Sequence, residues 1–138
     1  MILKVFVIAL VACPAVFAFD SKQTTQEILD KWETKILESL PECLQSSGVT
    51  QEEVDNFFHL QVRAASVNLK CFIRCFQKGF KFLNDDEAFN KVEIVNDIAK
   101  ATEEMVDFCI KDAANIANPC DRSYRLADCL LHYAHIYV

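Results

Sequence analysis

Leu69-Lys70-Cys71-Phe72-Ile73-Arg74-Cys75-Phe76 is the stretch that decides the fold. It contains no glycine or proline, and its two cysteines stand at i and i+4. On a helix that spacing stacks both thiols on one face, one turn apart. Side by side, they bond poorly to each other and readily to cysteines elsewhere. Leu69, Phe72, Ile73, Phe76 and Phe80 form an apolar stripe alongside. One helix thus offers two covalent anchor points and an apolar wall. That suits either a pinned core helix or the lining of a cavity.

The cysteine arithmetic depends on the start of the chain. Lys4 gives a positive beginning, Val5 to Ala12 an apolar run, and Val16-Phe17-Ala18 a small-residue ending suited to signal peptidase. The run is too short to span a bilayer. The expectation is a signal peptide over residues 1–18, a mature chain from Phe19, and secretion into extracellular fluid. Cys13 leaves with the leader, so seven cysteines become six: Cys43, Cys71, Cys75, Cys109, Cys120 and Cys129. In a small secreted domain these read as three disulfides, with fifteen possible connectivities. No thiol pair has the two-residue spacing of a zinc knuckle, and the histidines lie far from Cys71 and Cys75, so no metal site is expected.

The formal charge is −6, and −7 without Lys4. Lys and Arg are scattered singly, leaving no basic patch for nucleic acid. Beyond the leader no apolar run is long enough for a membrane span. No Asn-x-Ser/Thr acceptor occurs, so N-glycosylation is not expected.

The two glycines and two prolines left after cleavage are too few for a many-turned β-sandwich, and the apolar spacing is helical. Thr24 or Thr25 is the expected cap of a first helix carrying Ile28, Leu29, Trp32, Ile36 and Leu40. Pro41 predicts a kink or break, and Ser46-Ser47-Gly48 the end of that element. Thr50-Gln51-Glu52-Glu53 has the form of a capping box opening a short helix with Val54, Phe57 and Phe58. The central helix runs to about Lys78, with Gly79 at its C-cap. Phe80 to Phe89 lacks periodicity, and Asn84-Asp85-Asp86-Glu87 reads as a solvated loop without the spacing or glycine of an EF-hand. A helix with Val92, Val95, Ile98 and Ala99 on one face follows. Glu103-Glu104 favours the start of the next, which shows Met105, Cys109, Ala113 and Ile116 and ends at Asn118-Pro119. Asp121 is the expected cap of the last helix, whose inner face is Leu126, Cys129, Leu130, Tyr133 and Tyr137. The sum is an all-α single domain of about six helices.

Written out, the spacing is Cys43-x27-Cys71-x3-Cys75-x33-Cys109-x10-Cys120-x8-Cys129. It resembles the six-cysteine insect odorant-binding protein family, the pheromone and general odorant-binding proteins, over essentially the whole mature chain. The short Cys71–Cys75 and Cys120–Cys129 gaps are its sharpest marks. The resemblance implies the pairing Cys43–Cys75, Cys71–Cys120 and Cys109–Cys129; physical reasoning is compatible with this choice but does not select it. Loops of these lengths stabilise by roughly 3–4 kcal/mol per bond in the chain-entropy model. An unfilled cavity costs about 24 cal/mol per Å³ in mutation series, so a protein that keeps one open has a use for crosslinks.

The family's role implies a carrier of small hydrophobic ligands in an aqueous fluid. An olfactory receptor is at most an indirect partner, the chain is a monomer or weak homodimer, and there is no cofactor. Phe57, Phe58, Phe72, Phe76, Phe80, Phe82, Phe89 and Phe108 suit an apolar interior. Burying roughly 300 Å² of ligand is worth at most about 7–8 kcal/mol, which association costs reduce to micromolar binding. The candidate ligand contacts are Leu69, Ile73, Phe76, Met105, Phe108, Leu126, Leu130 and Tyr133, each equally suited to plain core packing. Thr102, Tyr133 and Tyr137 are candidate polar anchors. The tail Ala134-His135-Ile136-Tyr137-Val138 is a candidate lid, with His132 and His135 as pH-sensitive groups or plain surface histidines.

No Gly-x-Ser-x-Gly elbow or His-Glu-x-x-His motif occurs, and every mature cysteine is wanted for a bridge, so no catalytic residue is expected. Saposin-like and plant lipid-transfer proteins differ in cysteine spacing. Two rivals stay open: a carrier of lipids in haemolymph, saliva or reproductive fluid, and a packed signalling or toxin-like module with no cavity.

Overall fold

The computed structural model describes residues 21–60, 62 and 64–136, with side chains from 26 to 133. The expected leader lies outside the described residues. Seven helices follow one another: α1 (Ser21–Ser39), α2 (Pro41–Ser47), α3 (Gln51–Phe58), α4 (Val67–Gly79), α5 (Lys91–Asp97), α6 (Glu103–Ala113) and α7 (Pro119–Ile136). An isolated antiparallel bridge joins Leu83 and Phe89, and there is no strand among the described residues.

The chain folds this way because its local signals agree with its apolar pattern. α1 already runs from Ser21, so Thr24 and Thr25 sit inside it rather than capping it. Pro41 breaks the helix and then opens a new one at its first position, where a missing N–H costs nothing. That is why the described residues form seven helices where about six are expected. Gly48 closes α2 with φ of 70°, a left-handed conformation that glycine adopts without strain. The capping box of α3 forms as expected: Glu53 N donates to Thr50 Oγ1 at 3.2 Å and Thr50 N to Glu53 Oε2 at 3.1 Å. Ser66 caps α4 by accepting from Leu69 N at 3.1 Å.

Three sequence expectations are corrected here. Gly79 is the last residue of α4 and not a left-handed cap. A Cβ there would lie 2.5 Å from Leu40 Cδ1, so glycine permits close approach of α1's end. α6 stops at Ala113, short of Ile116. Asn118, not Asp121, caps α7: its Oδ1 accepts from Cys120 N and Asp121 N, both at 3.0 Å. Asp121 instead accepts from Lys70 Nζ at 2.9 Å, tying α7 to α4.

The disulfides are Cys43–Cys75, Cys71–Cys120 and Cys109–Cys129, the pairing the resemblance implies. They join α2 to α4, α4 to the start of α7, and α6 to α7. Helices α1, α3 and α5 contain no cysteine. A crosslinked frame of four helices therefore carries three helices that have no covalent tie to it.

Apolar side chains gather in two clusters. One joins Leu29 and Ile36 of α1 to Phe57 and Phe58 of α3 and to Leu69, Phe72, Ile73 and Phe76 of α4. The other joins Phe82, Ile94, Met105, Val106, Cys109, Leu126 and Leu130. No helix among the described residues is long and apolar enough to cross a membrane.

Candidate functional site

Beside the two clusters, both of which Trp32 and Phe80 touch, lies a cavity of about 110 Å³. From α1 its wall takes Ile28, Leu29, Trp32 and Ile36, and from α3 Phe57 and Phe58. α4 ends against it with Phe76 and Gln77, and Phe82 enters from the loop behind. Ile94 of α5, the following Ile98, Ala99 and Lys100, and Met105 of α6 form the opposite side. α7 contributes Leu126, Ala127, Leu130 and Leu131. The wall is thus drawn from both the crosslinked frame and the helices without crosslinks.

Aromatic rings stiffen one side. Trp32 meets Phe80 edge-on with centroids 5.4 Å apart and Phe82 at 5.6 Å, while Phe57 and Phe58 pack edge-to-face at 5.1 Å. Such pairs contribute about 0.5–1.5 kcal/mol beyond area burial and hold their rings in fixed positions. Outside, Lys35 Nζ sits 4.4 Å from the Trp32 ring centroid, a cation over the indole face.

Polar groups in the wall are few. Lys100 stands exposed at the lip, its backbone at φ of 67°. Gln77 is 3% exposed. Its Nε2 donates to the backbone oxygen of Ser123 at 3.0 Å, and its Oε1 has no hydrogen-bond partner. A buried acceptor left unsatisfied costs about 1–3 kcal/mol.

A polar seam joins α1 to α3 behind the wall. Gln26 Nε2 donates to Asp30 Oδ1 at 2.8 Å and to Phe58 O at 3.4 Å, and Gln51 Nε2 donates to Asp55 Oδ1 at 2.9 Å. Burial, then a hydrogen bond to Asp55, pushes the Glu33 carboxyl up to about 7. That same bond, with Gln51's, holds Asp55 below its ordinary range. The His59 imidazole is raised, first by its bond to the Asp55 carbonyl, and its Nε2 lies 3.9 Å from Asp30. Around neutral pH the seam therefore exchanges protons.

Of the eight residues predicted as ligand contacts, Phe76, Met105, Leu126 and Leu130 border the cavity. Leu69 and Ile73 do not: both are fully buried in the solid cluster, because α4 turns that face toward α1 to α3 and not toward the void. Phe108 is 55% exposed, since α6 presents Met105, Val106, Cys109 and Ala113 inward. Tyr133 is half-buried and packs on the Phe108 ring at 5.5 Å instead of on the wall. Thr102 caps α6 by accepting from Met105 N at 3.2 Å, is exposed, and does not border the cavity. His132 lies exposed on α7 with Nδ1 2.8 Å from the Asp128 carbonyl oxygen. α7 stays helical through Ile136, so the expected tail is helix that far; the side chains of Ala134 to Ile136, and Tyr137 and Val138, lie outside the described ones.

Gln77 was missed because a glutamine beside a disulfide cysteine reads as surface. Phe82, named among the phenylalanines that suit an apolar interior, was left out of the candidate contacts because its loop has no period. It is 3% exposed, held where Phe82 N and Leu83 N both donate to Gln77 O at 2.8 and 3.1 Å. In the acidic loop Asn84, Asp85 and Asp86 are exposed as expected, and only Glu87 departs from a solvated turn. Glu87 gathers Arg74 and Lys78 of α4 and Arg122 of α7, and these cations, Arg74 first, lower its carboxyl pKa. On α5 the buried residue is Ile94, whereas Val92 is 64% exposed.

A model described as the PBP/GOBP family matches residues 25–133. General odorant-binding protein 2 of Manduca sexta is 31% identical over 127 residues, covering 83% of this chain and 78% of that protein. General odorant-binding protein 2 of Antheraea pernyi is 28% identical over 123 residues, covering 80% and 76%. Among solved structures, the fatty acid binding protein OBP56a from the oral disk of the blowfly Phormia regina superposes with a TM-score of 0.52 at 19% identity. It covers 90% of this chain and 99% of its own.

Proposed function

This chain belongs to the PBP/GOBP family, and on that premise we propose that it is a secreted carrier of small hydrophobic molecules, odorants or similar semiochemicals. The family is one of carriers and not of catalysts. The observation that carries the reading is the cavity of about 110 Å³ inside an oxidised frame, with a wall almost wholly of hydrocarbon and aromatic side chains. A void of similar size lined by Leu, Ile and Phe stays dry and takes up benzene in an engineered protein, so apolar guests are favoured over water. Sites for drug-sized molecules run to about 300–1,000 Å³, so a longer guest needs the wall to yield. The helices without crosslinks, α1, α3 and α5, are the parts free to do so.

The names of the moth relatives support an odorant, and that of the blowfly protein supports a fatty acid. The same cavity would serve a lipid carrier in a non-olfactory fluid, and the leader expected at residues 1–18 fits either. Native mass spectrometry of the protein extracted from its natural fluid names the cargo. Displacement of a hydrophobic fluorescent probe by volatile alcohols or fatty acids at micromolar concentration is the expected result in solution. A chain that binds no such probe is a packed module and ends the carrier reading.

A further inference from the structure

We propose that Lys100 makes the cavity a site for anionic amphiphiles of the fatty-acid type: the hydrocarbon tail enters the void, and the ionised carboxylate stays at the lip beside the Lys100 ammonium. The inference rests on the carrier reading and narrows it to a chemical class. Among the described residues that border the cavity, Lys100 alone is ionisable, and no carboxylate stands with it. Its place is set by the backbone. Ala101 N donates to Ile98 O at 3.1 Å, closing a turn in which Lys100 takes φ of 67°. Ile98 and Ala99 of that turn belong to the apolar wall, and the Lys100 side chain is exposed to solvent.

The charge is also uncommitted. The chain carries a formal −6, and on the neighbouring elements Lys91 is held by Asp107 and Arg125 by Asp112. Asp97 and Glu103 flank Lys100 in sequence, yet Lys100 forms no ion pair among the described residues. An ionised carboxylate does not enter a hydrocarbon pocket unpaired, because losing its hydration costs more than the pocket returns. Such a guest therefore goes in tail first and leaves its head at the mouth. A lysine lays its stem along apolar surface and keeps its ammonium in water, so the two heads meet partly hydrated. Their attraction is modest and screened by salt, but a neutral alcohol of equal length gains none of it.

Decanoate and 1-decanol, each displacing N-phenyl-1-naphthylamine from the oxidised chain at about pH 7.5, where the acid is ionised, test this. Lys100→Gln is expected to weaken decanoate by about fivefold, the upper end for an exposed ion pair, and to leave 1-decanol unchanged. Lys100→Arg should keep the wild-type preference, and about 1 M salt should erase the difference between wild type and Lys100→Gln. Lys111→Gln, at an exposed lysine of α6 away from the cavity, removes the same net charge and should change neither compound. If Lys100→Gln alters both compounds equally or neither, or if Lys111→Gln weakens decanoate as much, the assignment is overturned and the carrier reading stands. The same holds if 1-decanol displaces the probe from the wild type and decanoate does not. Displacement by neither compound overturns both.

Discussion

Two regions of the interior are made of the same residue types and behave differently. Around Leu69, Phe72 and Ile73 the packing is solid, and the helix carrying them is bonded to α2 and α7. Around Leu29, Trp32, Phe58 and Ile94 the wall faces a void, and the helices carrying them, α1, α3 and α5, have no covalent tie. Hydrophobicity alone does not distinguish the two. What distinguishes them is whether a facing element comes close enough to fill the space; the disulfides tie only part of the wall, since α4, α6 and α7 border the void as well. The frame then supplies the stability that an open cavity withholds.

The contrast breaks most visibly in the solid half. Phe72→Ala should cost about 3–5 kcal/mol in denaturant unfolding, because a fully buried ring leaves a hole that the bonded helices cannot collapse around. Phe108→Ala, at an exposed position, should stay within about 0.5 kcal/mol. Replacing Cys71 and Cys120 together by serine should remove about 3–4 kcal/mol and loosen α7 from α4, again read by denaturant unfolding. A loss below about 1 kcal/mol would show that the frame does not depend on that bridge.

The hollow half should answer in binding rather than stability. Ala127→Phe places a ring in the void and should weaken probe binding by at least about tenfold, while unfolding shifts by no more than about 1–3 kcal/mol in either direction. Unchanged binding would mean the guest sits elsewhere.

The smallest effect concerns the seam between α1 and α3. Glu33 is raised from 4.5 to about 7 in the folded chain, so the folded state holds a proton that the unfolded state releases between those values. The stability contributed is present below about pH 4.5 and is lost as pH rises toward 7. His59, also raised, acts in the same sense as pH passes its folded value. After solvent screening the change should be under about 1 kcal/mol. Thermal unfolding between pH 4.5 and 7.5 should show the fall, and Glu33→Gln should flatten it.

Much of this was legible beforehand, and the exceptions share a cause. α4 could be read because its signals are local: two thiols one turn apart, a stripe at helical period and no breaker. The capping box at Thr50 and the break at Pro41 are local for the same reason. The 80–90 segment could not be read, since what orders it is distant in sequence: Arg122 of α7 reaching Glu87, and the end of α4 receiving Phe82. The cavity wall was half legible. Periodicity finds an inward face, and Leu69 and Met105 both lie on one, but which inward face meets a void depends on helices that pack from elsewhere in the chain.

By itself, then, the sequence determined the helical class, the cysteines available for bonding and the apolar faces, because helix formation, capping and thiol spacing act within a few residues. Only the tertiary structure decided where the void lies, which side chains border it, and that Gln77 stands there with one end tied to Ser123 and the other unpaired. A cavity belongs to the space between elements, and no single element encodes its shape.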